Sequence, residues 1–289
     1  IHLEEDVAKS THLANSSTID YNRAGTPLME IVTEPDIDSA EEAYAFVKSL
    51  QQILQYGKIS DADMDKGQMR CDVNISVRKK GATELGTKLE IKNLNSTSSV
   101  RSAIYYEIDR QIEELDMGIE QVQATLAWDP NTGQTSVMRV KEDSHDYRYF
   151  PEPDLLPVNT GELFDKMKAF VPELPHDKRD RFVSDYGVSA YDAGVLTSDL
   201  KLAEYFELSA KGSKFGKKVA NWIINTVLGK LNETFLTIDD NPIKPESLRE
   251  LVELVEAGTI SNNQAKEVFN ALWEAPEKKP SDIAKSMGF

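Results

Sequence analysis

Two carboxylates sit where a strand would ordinarily carry apolar side chains. Extended, Leu28–Thr33 puts Glu30 on the face of Leu28 and Val32, and His2–Asp6 puts Glu5 on the face of Ile1 and Leu3. A buried carboxylate must be paired, protonated or metal-bound, because an isolated buried charge is very costly. The alternative is an edge strand whose Glu30 reaches solvent, and this stretch alone leaves both open. A second polar set lies on two segments that read as a hairpin. Met69–Arg78 carries Met69, Cys71, Val73, Ile75 and Val77 on one face, and Arg70, Asp72, Asn74, Ser76 and Arg78 on the other. In Thr87–Asn93, Leu89 and Ile91 face the core while Lys88, Glu90 and Lys92 face the polar row. Asn74 and Asn93 favour a functional surface, since Asn is a poor strand former without a specific bond to make. A solvated face held by cross-strand charge pairs is the plainer reading.

The sequence has no glycine-rich dinucleotide loop, no phosphate loop ending in Gly-Lys-Ser/Thr and no Gly-x-Ser-x-Gly elbow. Its four histidines, His2, His12, His145 and His176, show no metal-ligand spacing, and Cys71 is the only cysteine. What remains is oxygen chemistry. Carboxylates such as Glu5 and Glu30 suit Mg²⁺, which shares its shell with substrate phosphates. Arg and Lys nearby could neutralise a transferring phosphoryl group. A metal-dependent hydrolase with Glu5 and Glu30 as ligands fits the same residues.

The elements that must position these groups follow from local pattern. Asn22-Arg23-Ala24-Gly25 is turn chemistry, and Pro27 fixes the start of the strand carrying Glu30. Residues 7–19 read as a loop or ragged strand. Helices are predicted over 39–56, capped by Ser39 and ended by Gly57, and over 98–117. Val122–Trp128 and Thr135–Val140 form a hairpin around Asp129–Gly133. Asp146–Asp154, with Pro151 and Pro153, reads as an extended segment laid across the sheet. From about Pro172 the pattern is helical: 176–186, 189–197, 200–210, 217–235, 246–257 and 262–274, with Pro276–Pro280 as a linker. The expected fold is α+β: a mainly antiparallel sheet with flanking helices over 1–172, then an all-α domain over 173–289.

Composition bounds the function classes. The 289 residues are 40% hydrophobic and 28% charged, an ordinary globular balance, and no apolar run is long enough for a membrane helix. The single cysteine fits a cytoplasmic setting. A net charge of −16 argues against general nucleic-acid binding. Most of that acidity precedes Glu173, and the later half has a basic cluster, Lys211, Lys214, Lys217 and Lys218, suited to a polyanion or simply to solvent.

Long stretches resemble a known family. HLEED at 2–6, DYNRAGTPLMEIVTEPD at 20–36, MRCDVNISVR at 69–78, EIKNLNS at 90–96 and DYRYFPEPDL at 146–155 are similar, in order, to the B subunit of the tRNA-dependent amidotransferases. The resemblance covers the whole chain, most strongly to about residue 155. It implies a fragment lacking roughly the first third of the usual B subunit and the C-terminal tail domain, and inactive by itself. It also implies a cradle-like catalytic domain followed by a helical domain.

The activity implied is that of an ATP-dependent carbon–nitrogen ligase with glutamine as amido donor. The B subunit uses ATP and Mg²⁺ to phosphorylate the side-chain carboxylate of Glu-tRNA(Gln) or Asp-tRNA(Asn). Ammonia, released from glutamine by the amidase (A) subunit and channelled across, displaces phosphate; a small C subunit completes the heterotrimer. By the same resemblance Glu5 and Glu30 match acidic metal ligands, and Arg70, Asp72, Asn74, Lys92 and Asn93 are expected as the polar wall around ATP and the aminoacyl end. Ala8 departs from the family's usual Gly, and no cysteine cluster is present for the zinc that some members carry. The competing expectation is a non-catalytic, tRNA-binding scaffold protein built from the helical domain.

Overall fold

The computed structural model describes residues 1–140, 156 and 159–289, so the segment expected to lie extended over 146–154 falls outside it. The chain opens with β1 (His2–Glu5), β2 (Lys9–Leu13), β3 (Ser16–Asp20) and β4 (Pro27–Glu30). They form one antiparallel excursion: β2 and β3 are its tip, β1 and β4 its base. The loop or ragged strand expected over 7–19 is thus a regular hairpin. Every residue of β2 and β3 is exposed, so burial imposes no apolar alternation for a sequence to display.

Ser39 caps α1 (Ala40–Tyr56), accepting the Glu42 N–H at 3.1 Å, and Gly57 follows its last residue. Beyond it, β5 (Cys71–Ile75), β6 (Leu89–Leu94), β7 (Ala124–Asp129) and β8 (Gln134–Val140) form a four-stranded sheet in that order. The predicted hairpins β5–β6 and β7–β8 are antiparallel. The crossing helix α2 (Thr97–Asp116) makes β6 and β7 parallel, so the sheet is mixed. Its inner face buries Leu89, Ile91, Leu94, Leu126 and Trp128 against Val100, Ala103 and Ile104 of α2, with Ala40 and Ala43 of α1. Glu107 of α2 is fully buried and is held by Arg110 through two hydrogen bonds, at 2.8 and 2.9 Å, and by the Thr135 hydroxyl of β8. Helix and sheet edge are therefore tied by a satisfied charge.

β6 contains an irregularity that sets its two faces. Cys71 lies opposite Leu94 and Val73 opposite Ile91, so Lys92 and Asn93 together face Asp72. Asn93 has φ 65°, a left-handed conformation that Asn tolerates better than most residues. The extra residue returns Leu94 to the buried face. The backbone thus supplies one reason for an Asn at position 93.

The remaining helices are α3 (Thr160–Lys168), α4 (Pro175–Tyr186), α5 (Ala190–Leu196), α6 (Leu200–Ala210), α7 (Gly216–Trp222), α8 (Leu228–Glu233), α9 (Pro245–Glu256), α10 (Asn262–Glu274) and α11 (Pro280–Ser286). The helix predicted over 217–235 is α7 and α8 joined by a π-helical turn, Ile223–Val227. The Pro276–Pro280 linker is corrected: Pro280 is buried and starts α11, where its missing N–H costs nothing. α4 to α11 enclose a second core, which takes in Tyr56 from the end of α1. Its hydroxyl donates to the Thr197 carbonyl at 2.9 Å. Among the described residues no helix is long and apolar enough to cross a membrane.

α8 ends in a double cap, with the Leu236 N–H on the Leu231 carbonyl (2.9 Å) and the Phe235 N–H on that of Asn232 (3.3 Å). Phe235 occupies the left-handed position at φ 55°, where Gly is usual, and is 97% exposed. Its side chain contributes no burial to offset that strain. Phe235→Gly is expected to stabilise the chain by about 1 kcal/mol in urea denaturation, and Phe235→Ala by much less because it keeps a Cβ.

Candidate functional site

Register decides which carboxylates meet. His2 lies opposite Glu30 and Glu4 opposite Leu28, so one face of the β1–β4 base carries His2, Glu4, Leu28 and Glu30. The His2 Nε2 is 2.5 Å from Glu4 Oε1 and 2.9 Å from Glu30 Oε2. One ligand atom from each of the three lies within 4.8 Å of the other two, as a metal ion would require. Glu30 does share a face with Leu28, yet its side chain is 44% exposed and partnered. Glu5 lies an odd number of positions from His2, on the opposite face, with an oxygen 3.4 Å from the point where a Gly25 Cβ would stand. The structure does not bring Glu5 and Glu30 together; it brings Glu4.

Asp6 anchors the loop between β3 and β4. Its N–H donates to the Thr26 carbonyl (2.9 Å) and its carbonyl accepts the Gly25 N–H (3.0 Å), with Gly25 at φ 78°. Its carboxylate accepts from the Arg23 guanidinium and lies 4.0 Å from Arg70, which fastens the excursion to the residue before β5. Desolvation raises the Asp6 pKa, but the Arg23 hydrogen bond, the Val7 N–H and the charges of Arg23 and Arg70 outweigh it and hold the carboxyl below its ordinary range.

The outer face of the four-stranded sheet gathers the second polar set. Lys92 bridges Asp72 at 2.6 Å and Glu90 at 2.9 Å. Partial burial lowers its pKa, and the two carboxylates more than restore it, leaving Lys92 raised and fully charged. Asn74 lies opposite Glu90, Glu90 opposite Thr125, and Thr125 opposite Arg139. The Thr125 hydroxyl donates to Glu90 at 3.0 Å and accepts from Arg139 Nε at 3.4 Å. A chain of hydrogen bonds thus crosses all four strands. Burial, then Asp72, pushes the Cys71 thiol up to about 11, so it is no nucleophile.

Of the expected residues, Asp72, Asn74 and Lys92 share this face, Arg70 joins it to the β1–β4 base, and Asn93 is the bulge beside Lys92. The sequence reading missed His2 and Glu4 as partners of Glu30, although the β1 alternation places His2 and Glu4 together. Nor does the sequence single out Thr125 and Arg139: β7 also carries Asp129, and β8 also carries Gln134, Thr135 and Ser136.

Asp6 gives the site an acid limit. Since its folded pKa lies below the unfolded value, its contribution is present above the ordinary Asp range (about 3.9) and is lost as pH falls through the folded value. Urea midpoints of wild type and Asp6→Asn are expected to differ at pH 7 and to converge as pH falls below the ordinary Asp range and through the lowered folded pKa; a gap that stays constant down that titration would remove the carboxylate's charge as the cause.

Comparison with known proteins agrees with both halves of the chain. A family model described as the GatB/GatE catalytic domain matches residues 1–164, and one described as the GatB domain matches residues 204–289. The B subunit of the aspartyl/glutamyl-tRNA(Asn/Gln) amidotransferase of Persephonella marina is 49% identical across 100% of this chain, which covers 61% of that protein. The protein of the same name from Methylacidiphilum infernorum is 50% identical, with 100% and 59% covered, and that of Elusimicrobium minutum 49%, with 99% and 61%. The chain therefore spans about three-fifths of the length of these relatives.

Proposed function

The chain belongs to the GatB/GatE family, and from that premise we propose that, in its full-length context, it activates the side-chain carboxylate of glutamate or aspartate attached to tRNA. ATP is the phosphoryl donor. A carboxylate oxygen attacks the γ-phosphorus and ADP leaves, giving an acyl phosphate. Ammonia then attacks the acyl carbon, inorganic phosphate departs and a proton is released, leaving the amide. The activation is needed because a free carboxylate does not react with ammonia at neutral pH. The ammonia comes from glutamine hydrolysed by an amidase (A) subunit, a small C subunit completes the assembly, and the setting is cytoplasmic.

The observation that carries this reading is the convergence of His2, Glu4 and Glu30 on one face, tied through Asp6 and Arg70 to the sheet that bears Lys92. Two carboxylates and an imidazole fit a divalent cation, and the carboxylates suit Mg²⁺. Glu4 and Glu30, with His2, would hold it, and when bound it would neutralise charge on the phosphates of ATP. Lys92, kept charged by Asp72 and Glu90, adds a fixed cation. Asp72, Asn74 and Asn93 line the same surface and position the reactants, and Arg70 keeps the β1–β4 base against it.

Glu30→Gln in the full-length protein, within the assembled complex, is expected to keep tRNA affinity and to lose ATP-dependent amide formation by about a hundredfold. The register adds a sharper contrast. Glu4→Gln should match Glu30→Gln, while Glu5→Gln should fall well short of it, since Glu5 points to the other face. Normal amidation by Glu30→Gln would reject the cation site.

A further inference from the structure

We infer that Arg139 is an oxyanion-binding residue of this site, presenting its guanidinium fork to a carboxylate or a phosphoryl group; the inference rests on the ligase reading for the identity of that group. On the outer face of the sheet, Lys92 is matched by Asp72 and Glu90, and Arg70 approaches Asp6. Arg139 has no carboxylate partner among the described residues. Its one hydrogen bond there runs from Nε to the Thr125 hydroxyl.

That bond is built into the sheet. Thr125 is 1% exposed, sits opposite Arg139 in the β7–β8 register, and has its hydroxyl proton committed to Glu90. Only a lone pair of the oxygen is left to face Arg139, so the hydroxyl holds the guanidinium by its inner N–H. Glu90 already accepts from Lys92 and Thr125. The two terminal amino groups of Arg139 make no hydrogen bond to a described residue, and Arg139 is exposed on the edge strand β8. A planar pair of N–H donors anchored from behind suits two oxygens of one anion, a geometry that lysine cannot reproduce. The proposed reaction offers two such anions, the side-chain carboxylate and the phosphates of ATP.

The test uses the full-length protein in its assembled complex. Arg139→Lys keeps the charge and removes the fork. It is expected to raise KM for ATP or for the misacylated tRNA by about tenfold or more. The substrate whose KM rises identifies the anion. A second measurement does not depend on turnover: phenylglyoxal labelling of wild-type Arg139, read by peptide mass spectrometry, should be slowed by inorganic phosphate or by acetate. Unchanged KM for both substrates, or labelling that neither anion slows, overturns the inference. If the wild-type complex forms no amide from ATP, the ligase reading falls, while protection of Arg139 by phosphate or acetate still decides the anion site.

Discussion

The two-for-one pairing of Lys92 and Asn93 against Asp72 sets the form of the first half of the chain. A strand alternates strictly, so without an extra residue Leu94 would point to the polar side and the buried row would stop at Ile91. With Asn93 in a left-handed conformation, β6 delivers Leu94 to the core and keeps Lys92 between Asp72 and Glu90. Two residues later Ser96 caps α2, already above the buried face. The helix can then cross that face and return the chain as β7, parallel to β6. One local irregularity thus serves the core, the crossover and the cation of the outer face together.

Much of this was legible in the sequence, and the lapses have physical causes. Ser39, Gly57, the alternation of β5 and the stripes of the later helices are written in local chemistry; the helices fall within a residue or two of expectation, while β5 ends at Ile75, three residues before the expected Arg78. The β2–β3 hairpin left no trace because neither face is buried. α3 is likewise without a buried residue. α11 was hidden by Pro280, which reads as a break and serves as a first helical residue. The parallel β6–β7 pair follows from where α2 sets the chain down, which no window of residues encodes.

For the site, the sequence yielded residue types but not neighbours. Glu30 is conspicuous as an acid in an apolar strand, and by the same signal Glu5 is its expected partner. Cross-strand register selected differently: His2 lies directly opposite Glu30, and alternation then brings Glu4 and excludes Glu5. A histidine and two glutamates on separate strands have no linear spacing to recognise. The same holds for Glu90, Thr125 and Arg139, which are linked in series across three strands, Arg139 through Thr125 alone. Asn93 shows the converse, an unusual residue with a backbone role that its strand position alone does not reveal.

α1 takes part in both cores. Ala40 and Ala43 at its start pack with the sheet, and Tyr56 at its end is locked among the later helices by packing and by the Thr197 carbonyl. Seventeen helical residues make a rod about 25 Å long. Such a rod is gripped at both ends. Its two ends therefore fix the spacing between the core beneath the polar face and the core of the later helices.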